Sequence, residues 1–364
     1  MTDANALYGV YFPGIPSIRN TLERVDQAIA DTVLFETQLG LQFARRAVAV
    51  LEHRLNKAIS VTDLANPVRV AKLNPDEVDP YEHVRHLTRN VISYNQIYQA
   101  ITSHFSSSNF TPVLLCGRSM GILSAMVVSG CIPFEDGIYI AANMAQFHTE
   151  SYQMNSEKYL SRKLYCLSDI KFELLMAKFY HYGVRSPLFI LEHDPTRYTL
   201  IQYSEKNHVY LEECLQQLQV SSSAFSHFPS GAHTPMTSSR ICNLRRILEH
   251  EVRIKAPDSA ALIHSQAYKQ PRQLLTTSED LCTELVEVMN GAMNLIPLYQ
   301  LLTDLSQREK CFLVIEVGSK DLAIALSQQH PRPRKDLVQF HSPFTPSFAW
   351  LDRFIVCRHE VHKS

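Results

Sequence analysis

The residues Phe110-Thr-Pro-Val-Leu-Leu-Cys-Gly-Arg-Ser-Met-Gly121, followed by Ile122-Leu-Ser-Ala-Met-Val-Val-Ser129, decide how this chain is read. Val113 to Cys116 is an apolar run that predicts a buried strand, and Ala125 to Val128 predicts helix. Between them lies Gly117-x-Ser119-x-Gly121, the pattern of a serine held on a sharp strand-to-helix turn. The spacing has a physical reason. Glycines two before and two after the serine let strand and helix pass close by, which leaves the hydroxyl exposed at a helix N-terminus. The amide of Met120 then points at an oxyanion formed on an attacked carbonyl. The bland alternative is a glycine-flanked βα turn with a surface serine, so the pattern needs support from elsewhere in the chain.

Composition narrows the classes. At 364 residues the chain is long for one simple domain, which predicts one large domain with an insertion, or two domains. An apolar fraction of 45% and a charged fraction of 20% describe an ordinary soluble globular protein. A net charge of −1 gives no electrostatic reason to expect nucleic acid or an anionic membrane as partner. Without a long apolar run or a leader pattern, the expected location is the cytoplasm. The eight cysteines (116, 131, 166, 214, 242, 282, 311 and 357) form no C-x-x-C pair and read as reduced thiols. The 16 histidines form no ligand spacing, so no metal is expected.

In chain order, Tyr8 to Phe12 reads as a first strand, with Pro13-Gly14 as its turn. Helical spacing runs through 20–57, and Val84 to Phe105 and Gly137 to Phe147 are helical again. The segment 150–232 changes character. Ile170 to Tyr182 and His208 to Leu218 read as helices; Pro187 to His193, Tyr198 to Tyr203 and Ser223 to Phe228 read as strands. That order predicts a small α+β subdomain inserted into a larger α/β domain. Further helices follow at Ser238 to His250, Ser278 to Met289 and Ile296 to Ser306, before an apolar strand, Cys311 to Val317. The expected organisation is a large domain of 1–149 and 233–329, an insertion of 150–232, and a tail of 330–364. That tail reads as a strap over the main domain or a partner-docking segment.

A second stretch, Phe228-Pro-Ser-Gly-Ala-His-Thr-Pro-Met236, supplies the support. Phe12-Pro13-Gly14, Gly117-Arg-Ser119-Met-Gly121, Ser230-Gly-Ala-His233-Thr-Pro-Met and Ile315-Glu-Val-Gly318-Ser-Lys-Asp-Leu322 occur in that order. In this order the chain resembles the malonyl-CoA:acyl carrier protein transacylase family, including the acyltransferase domains of polyketide synthases. Ile254-Lys-Ala-Pro257 also falls where that family has a strand. The resemblance covers roughly residues 8 to 325. It implies an α/β-hydrolase-like large domain with an inserted ferredoxin-like subdomain. It also implies acyl transfer through a Ser119–His233 dyad, an oxyanion hole from the backbone amides of Ile15 and Met120, and no bound cofactor. Acyl-CoA is then the implied substrate, and the phosphopantetheine arm of an acyl carrier protein the implied acceptor.

The departures from the family gather around the acyl pocket. Ile15-Pro16-Ser17-Ile18 replaces a glutamine-glycine-serine-glutamine run, Arg118 replaces a histidine beside the nucleophile, and Ile122 replaces a glutamate. The arginine that pairs with the malonyl carboxylate in the family falls on Met144. A thioether cannot supply the paired charged hydrogen bonds of a guanidinium, so a non-malonyl acyl group is expected. Arg89 and Arg118 are the candidates for a relocated carboxylate clamp, against the plainer reading of surface arginines or arginines paired with an acid. Ser230 and Ala232 replace bulkier side chains and would widen the pocket.

Three other readings compete. An acyl hydrolase that clears carrier proteins uses the same residues, and a silent docking relative would retain them without using them. An ordinary α/β-hydrolase esterase requires an acidic third member, for which Asp194 is the candidate. His83, His86 and His227 read as structural, and Glu316 as the polar end of a strand.

Overall fold

A computed structural model describes residues 6–12, 14, 37–65, 80–105, 110–154, 157–165, 167–181, 188–194, 197–224, 226–227, 232–257, 262–264, 274–308, 312–317 and 340–341. The chain runs β1 (Ala6–Phe12), α1 (Gln38–Leu55), α2 (Val61–Ala65), α3 (Pro80–Phe105), β2 (Phe110–Gly117), α4 (Met120–Val128) and α5 (Phe134–Gln153). It continues through β3 (Tyr159–Tyr165), α6 (Asp169–His181), β4 (Phe189–Asp194), β5 (Tyr198–Ser204), α7 (His208–Gln217) and β6 (Ser226–His227). The last part holds α8 (Ser238–His250), β7 (Leu262–His264), α9 (Ser278–Asn290), β8 (Met293–Asn294), α10 (Ile296–Arg308), β9 (Phe312–Glu316) and β10 (Phe340–His341).

The larger sheet has the order β10-β9-β1-β2-β7, and each neighbouring pair is parallel. A parallel sheet is covered on both faces, so its central strands must be apolar on both. The two-residue alternation of β1 divides them. Tyr8, Val10 and Phe12 join Leu115 in the main core, built with residues of α1, α3, α4, α5, α8 and α9. Tyr11 faces the other way, with Leu114, Cys116, Val314 and the α10 residues Leu298, Tyr299 and Leu302.

The smaller sheet has the order β6-β3-β5-β4-β8, antiparallel except for β4 with β8. One face packs Leu160, Leu164, Ile201 and Tyr203 against Leu175 and Phe179 of α6 and Leu211, Cys214 and Leu215 of α7. The opposite face is mixed and buried: beside the apolar Tyr198 and Leu200 it carries Ser161, Glu192, Asp194, Gln202 and Ser204, all almost inaccessible. Its edge strand β8 lies outside 150–232 and precedes α10, so it ties the two sheets together.

The sequence-based elements coincide closely with α6 to α10, β4, β5 and β9, while α3 begins four residues before the expected Val84 and α5 extends three residues before and six beyond the expected Gly137 to Phe147. Helical spacing over 20–57 is realised as α1; residues 20–36 lie outside the described residues. One strand is misplaced. Ile254–Pro257 has no regular structure, and the strand beside β2 is instead Leu262–His264, between the helices expected at 238–250 and 278–289. Phe340–His341 of the tail pairs with β9 as the sheet edge. No helix among the described residues is long and apolar enough to cross a membrane.

Candidate active site

Ser119 sits between β2 and α4 with φ 51° and ψ −127°, a conformation that costs a non-glycine residue free energy and clusters at functional sites. The surrounding backbone holds it there. Arg118 N donates to Phe12 O at 2.9 Å, Gly121 N to Arg118 O at 2.8 Å, and Ile122 N to Ser119 O at 3.0 Å. Two glycines make the turn possible. A Cβ on Gly117 would lie 2.1 Å from the Gly121 carbonyl carbon, and one on Gly14 would lie 2.7 Å from Arg118 O and 2.8 Å from Ser119 Cβ. The Ser119 hydroxyl does not cap α4, although serine at that position commonly does. It faces His233, with Oγ 2.8 Å from Nε2.

His233 is also at positive φ, 61°, in a buried turn before the short 3₁₀ helix Pro235–Thr237. Its amide donates to Met289 O at 3.0 Å, and the Thr237 hydroxyl donates to the same oxygen at 3.2 Å. The turn is thereby pinned to the C-terminal end of α9. Burial, and then the charge of Arg118, pull the His233 pKa down to about 4, opposed by the carbonyls of Gly291 and Val288. Those carbonyls favour a protonated ring without meeting hydrogen-bond geometry at Nδ1. A neutral ring with its proton on Nδ1 leaves Nε2 free to accept from Ser119. The negative end of α9 would favour a positive charge on this ring.

The remaining expected site residues divide. Met120 is the first residue of α4, so its amide is among those that helix geometry leaves without an intrahelical acceptor. Arg118 is not a surface arginine. It is buried, and its guanidinium pairs with Glu192 of β4 and lies 3.4 Å from the Tyr198 hydroxyl of β5. Met144 on α5 is wholly buried within the main core, Arg89 on α3 is almost wholly buried, and Ala232 is buried beside His233. Ile15 and Ser230 lie outside the described residues. Asp194 does not stand behind the histidine. It pairs with Arg197 Nε at 2.7 Å and accepts from the Tyr299 hydroxyl at 2.9 Å. Among the described residues, no group of three or more His, Cys, Asp or Glu side chains could hold a metal ion.

No protein-family model matches the sequence, and no curated protein matches it at a significant level. Solved structures do match in fold. An acyl carrier protein S-malonyltransferase from Vibrio cholerae superposes with a TM-score of 0.70 at 14% identity, over 95% of this chain and 99% of that one. A malonyl-CoA–acyl carrier protein transacylase from Clostridium perfringens gives 0.71 at 14% identity, over 98% of both chains. A type II polyketide synthase acyl carrier protein in complex with its malonyl-transacylase provides a further match, 0.67 at 12% identity, over 93% and 96%. The chain has the fold of the malonyl-CoA:acyl carrier protein transacylases.

Within that transacylase fold, several residues near the site are invisible to motif reading. Glu192 and Tyr198 engage Arg118 from the smaller sheet, and the signal for Glu192 was an acid directly after the apolar run Phe189-Ile-Leu191. His148 on α5 is buried and its pKa is held well below the ordinary histidine value, first by burial and then by His83 and His233. The His83 and His148 rings lie 5.8 Å apart. Backbone carbonyls of α9 reach His233 with no side-chain signature at all.

Proposed function

We propose that the protein is an acyltransferase that moves an acyl group from a thioester such as acyl-CoA, through an acyl-Ser119, to the phosphopantetheine thiol of an acyl carrier protein. The observation that carries this reading is the 2.8 Å contact between Ser119 Oγ and His233 Nε2 on a serine at φ 51° heading a helix. His233 Nε2 takes the hydroxyl proton as Oγ attacks the thioester carbonyl. The Met120 amide, with that of Ile15, holds the oxyanion. The C–S bond then breaks, and the departing thiolate takes the proton from His233. The carrier-protein thiol repeats the sequence in reverse: His233 removes its proton, sulfur attacks the acyl ester, and Ser119 recovers its hydrogen. No acidic third residue is invoked, because α9 carbonyls support the imidazolium.

The acyl group in this reading is uncharged rather than malonyl. Met144, at the position of the family's carboxylate-binding arginine, is core, and the Arg118 guanidinium is already paired with an acid. The 150–232 segment is read as a ferredoxin-like insertion on the order β3-α6-β4-β5-α7-β6 and the sheet order β6-β3-β5-β4. The setting is cytoplasmic polyketide or fatty-acid-type biosynthesis.

The test is product analysis with propionyl-CoA and a holo carrier protein. Acyl carrier protein forming in step with free CoA supports transfer. CoA release matched by free propionate, with no acylated carrier, would replace this reading with the hydrolase.

A further inference from the structure

Arg118 precedes the nucleophile, is buried, and has its charge met from the other sheet. The partner carboxylate, Glu192, is wholly inaccessible, and both its oxygens are engaged. Oε2 pairs with the Arg118 guanidinium, and Oε1 accepts from the Tyr198 hydroxyl at 3.0 Å. Glu192 reaches this position through an irregularity in β4. Ile190 pairs with Ile201, but Glu192 pairs with Leu200, so Leu191 is an extra residue in the ladder. Cross-strand partners share a face of a sheet. Without the extra residue Glu192 would share the Ile190 and Ile201 face, towards α6 and α7. The bulge turns it to the face of Tyr198 and Leu200, opposite the elbow.

Building on the acyl-serine reading, we infer that Glu192 is a specificity-determining residue that excludes acyl groups ending in a carboxylate by occupying Arg118 beside Ser119. A guanidinium next to an acyl-serine would otherwise bind a terminal carboxylate through paired, charge-assisted hydrogen bonds. For an anionic acyl group to use Arg118, it must displace Glu192 and leave that carboxylate buried without its cation. Buried charges are tolerated when paired and strongly unfavourable when stripped of the partner. An uncharged acyl chain disturbs nothing. The selectivity therefore rests on a carboxylate supplied by the protein standing where the substrate's carboxylate would stand.

The experiment compares malonyl-CoA with propionyl-CoA as donors in single-turnover acylation of Ser119, followed by intact-protein mass spectrometry. Wild type should strongly prefer propionyl. Glu192→Gln removes the carboxylate that pairs with Arg118 at nearly constant shape, and the malonyl-to-propionyl ratio should rise by about tenfold or more. The double variant Glu192→Gln/Arg118→Gln should lose that gain. Tyr198→Phe, which loosens the carboxylate without removing it, should raise the ratio by about twofold to threefold, and decides the matter alone if Glu192→Gln does not fold. A pair that merely ties the two sheets together would lower both rates and leave the ratio unmoved. An unmoved ratio in folded variants, or a wild type that accepts malonyl as readily as propionyl, overturns the role of Glu192 while leaving acyl transfer standing. No adduct from either donor in any variant overturns the acyl-serine reading and this inference with it.

Discussion

The two sheets bury their residues by different means. The larger one is parallel, apolar on both faces, and positions Ser119 through backbone bonds and two glycine contacts. The smaller one packs one face against α6 and α7, and buries polar groups on the other. Apolar packing tolerates exchange of shape for shape, whereas a buried carboxylate tolerates only its own partner. Ser119 thus rests on a forgiving core whose weak points are steric, and its surroundings on an electrostatic frame whose weak points are single charges.

The largest expected effect strikes the point that the larger sheet exists to hold. Ser119→Ala should lower acyl transfer by at least about a thousandfold with little change in melting temperature. Retained turnover would remove the chemistry from the elbow. Gly117→Ala comes next, because its methyl would meet Gly121 backbone at 2.1 Å. It should cost about 3 kcal/mol in denaturant unfolding and take activity with it; a stable, active variant would show that the strand-to-helix approach is looser than described.

On the smaller sheet, Asp194→Ala strips Arg197 and Tyr299 of a buried acceptor. It should cost about 3 kcal/mol in chemical denaturation, comparable with Gly117→Ala, while turnover per folded molecule is retained. Loss of turnover at full stability would restore Asp194 as a catalytic acid. The contrast sharpens against an exposed pair. Arg46 meets Glu135 at 2.7 Å with side chains 48% and 45% exposed, so Arg46→Ala should shift stability by no more than about 0.5 kcal/mol.

Acidity probes both regions at once. His233 and His83 have pKa values lowered from 6.5 to about 4 by burial, and His148 is shifted in the same direction. Between those two pH values the unfolded chain binds protons that the folded chain refuses. Melting temperature should therefore fall as pH drops from 6.5 towards 4, and these groups contribute no change above that window. For the same reason kcat/KM should stay level down to about pH 5 and then fall with a midpoint near 4. A midpoint at 6.5 would mean that His233 is solvated as an ordinary histidine.

The legibility of the sequence follows the same division. The elbow was readable because Gly117-x-Ser119-x-Gly121 encodes a backbone shape, and backbone shapes restrict residue type locally. The helices were readable from apolar spacing, to within a residue or two at most ends. Sequence spacing could not place β7, because three residues of strand in a proline- and serine-rich stretch are fixed by pairing with β2, not by their own propensity. Nor could it pair Arg118 with Glu192. Those residues are 74 apart in the chain, and a register shift in β4 turns the acid towards the arginine. The carbonyls behind His233 were out of reach for a simpler reason, since every residue has one.

The central claim is that Ser119, activated by His233, carries the acyl group. Its most direct measurement is intact-protein mass spectrometry of wild type and Ser119→Ala after brief exposure to propionyl-CoA, with the modified peptide then sequenced. One propionyl adduct is expected, located on Ser119, absent from Ser119→Ala and discharged when holo carrier protein is added. An adduct on another residue, or equal labelling of the two proteins, would contradict it.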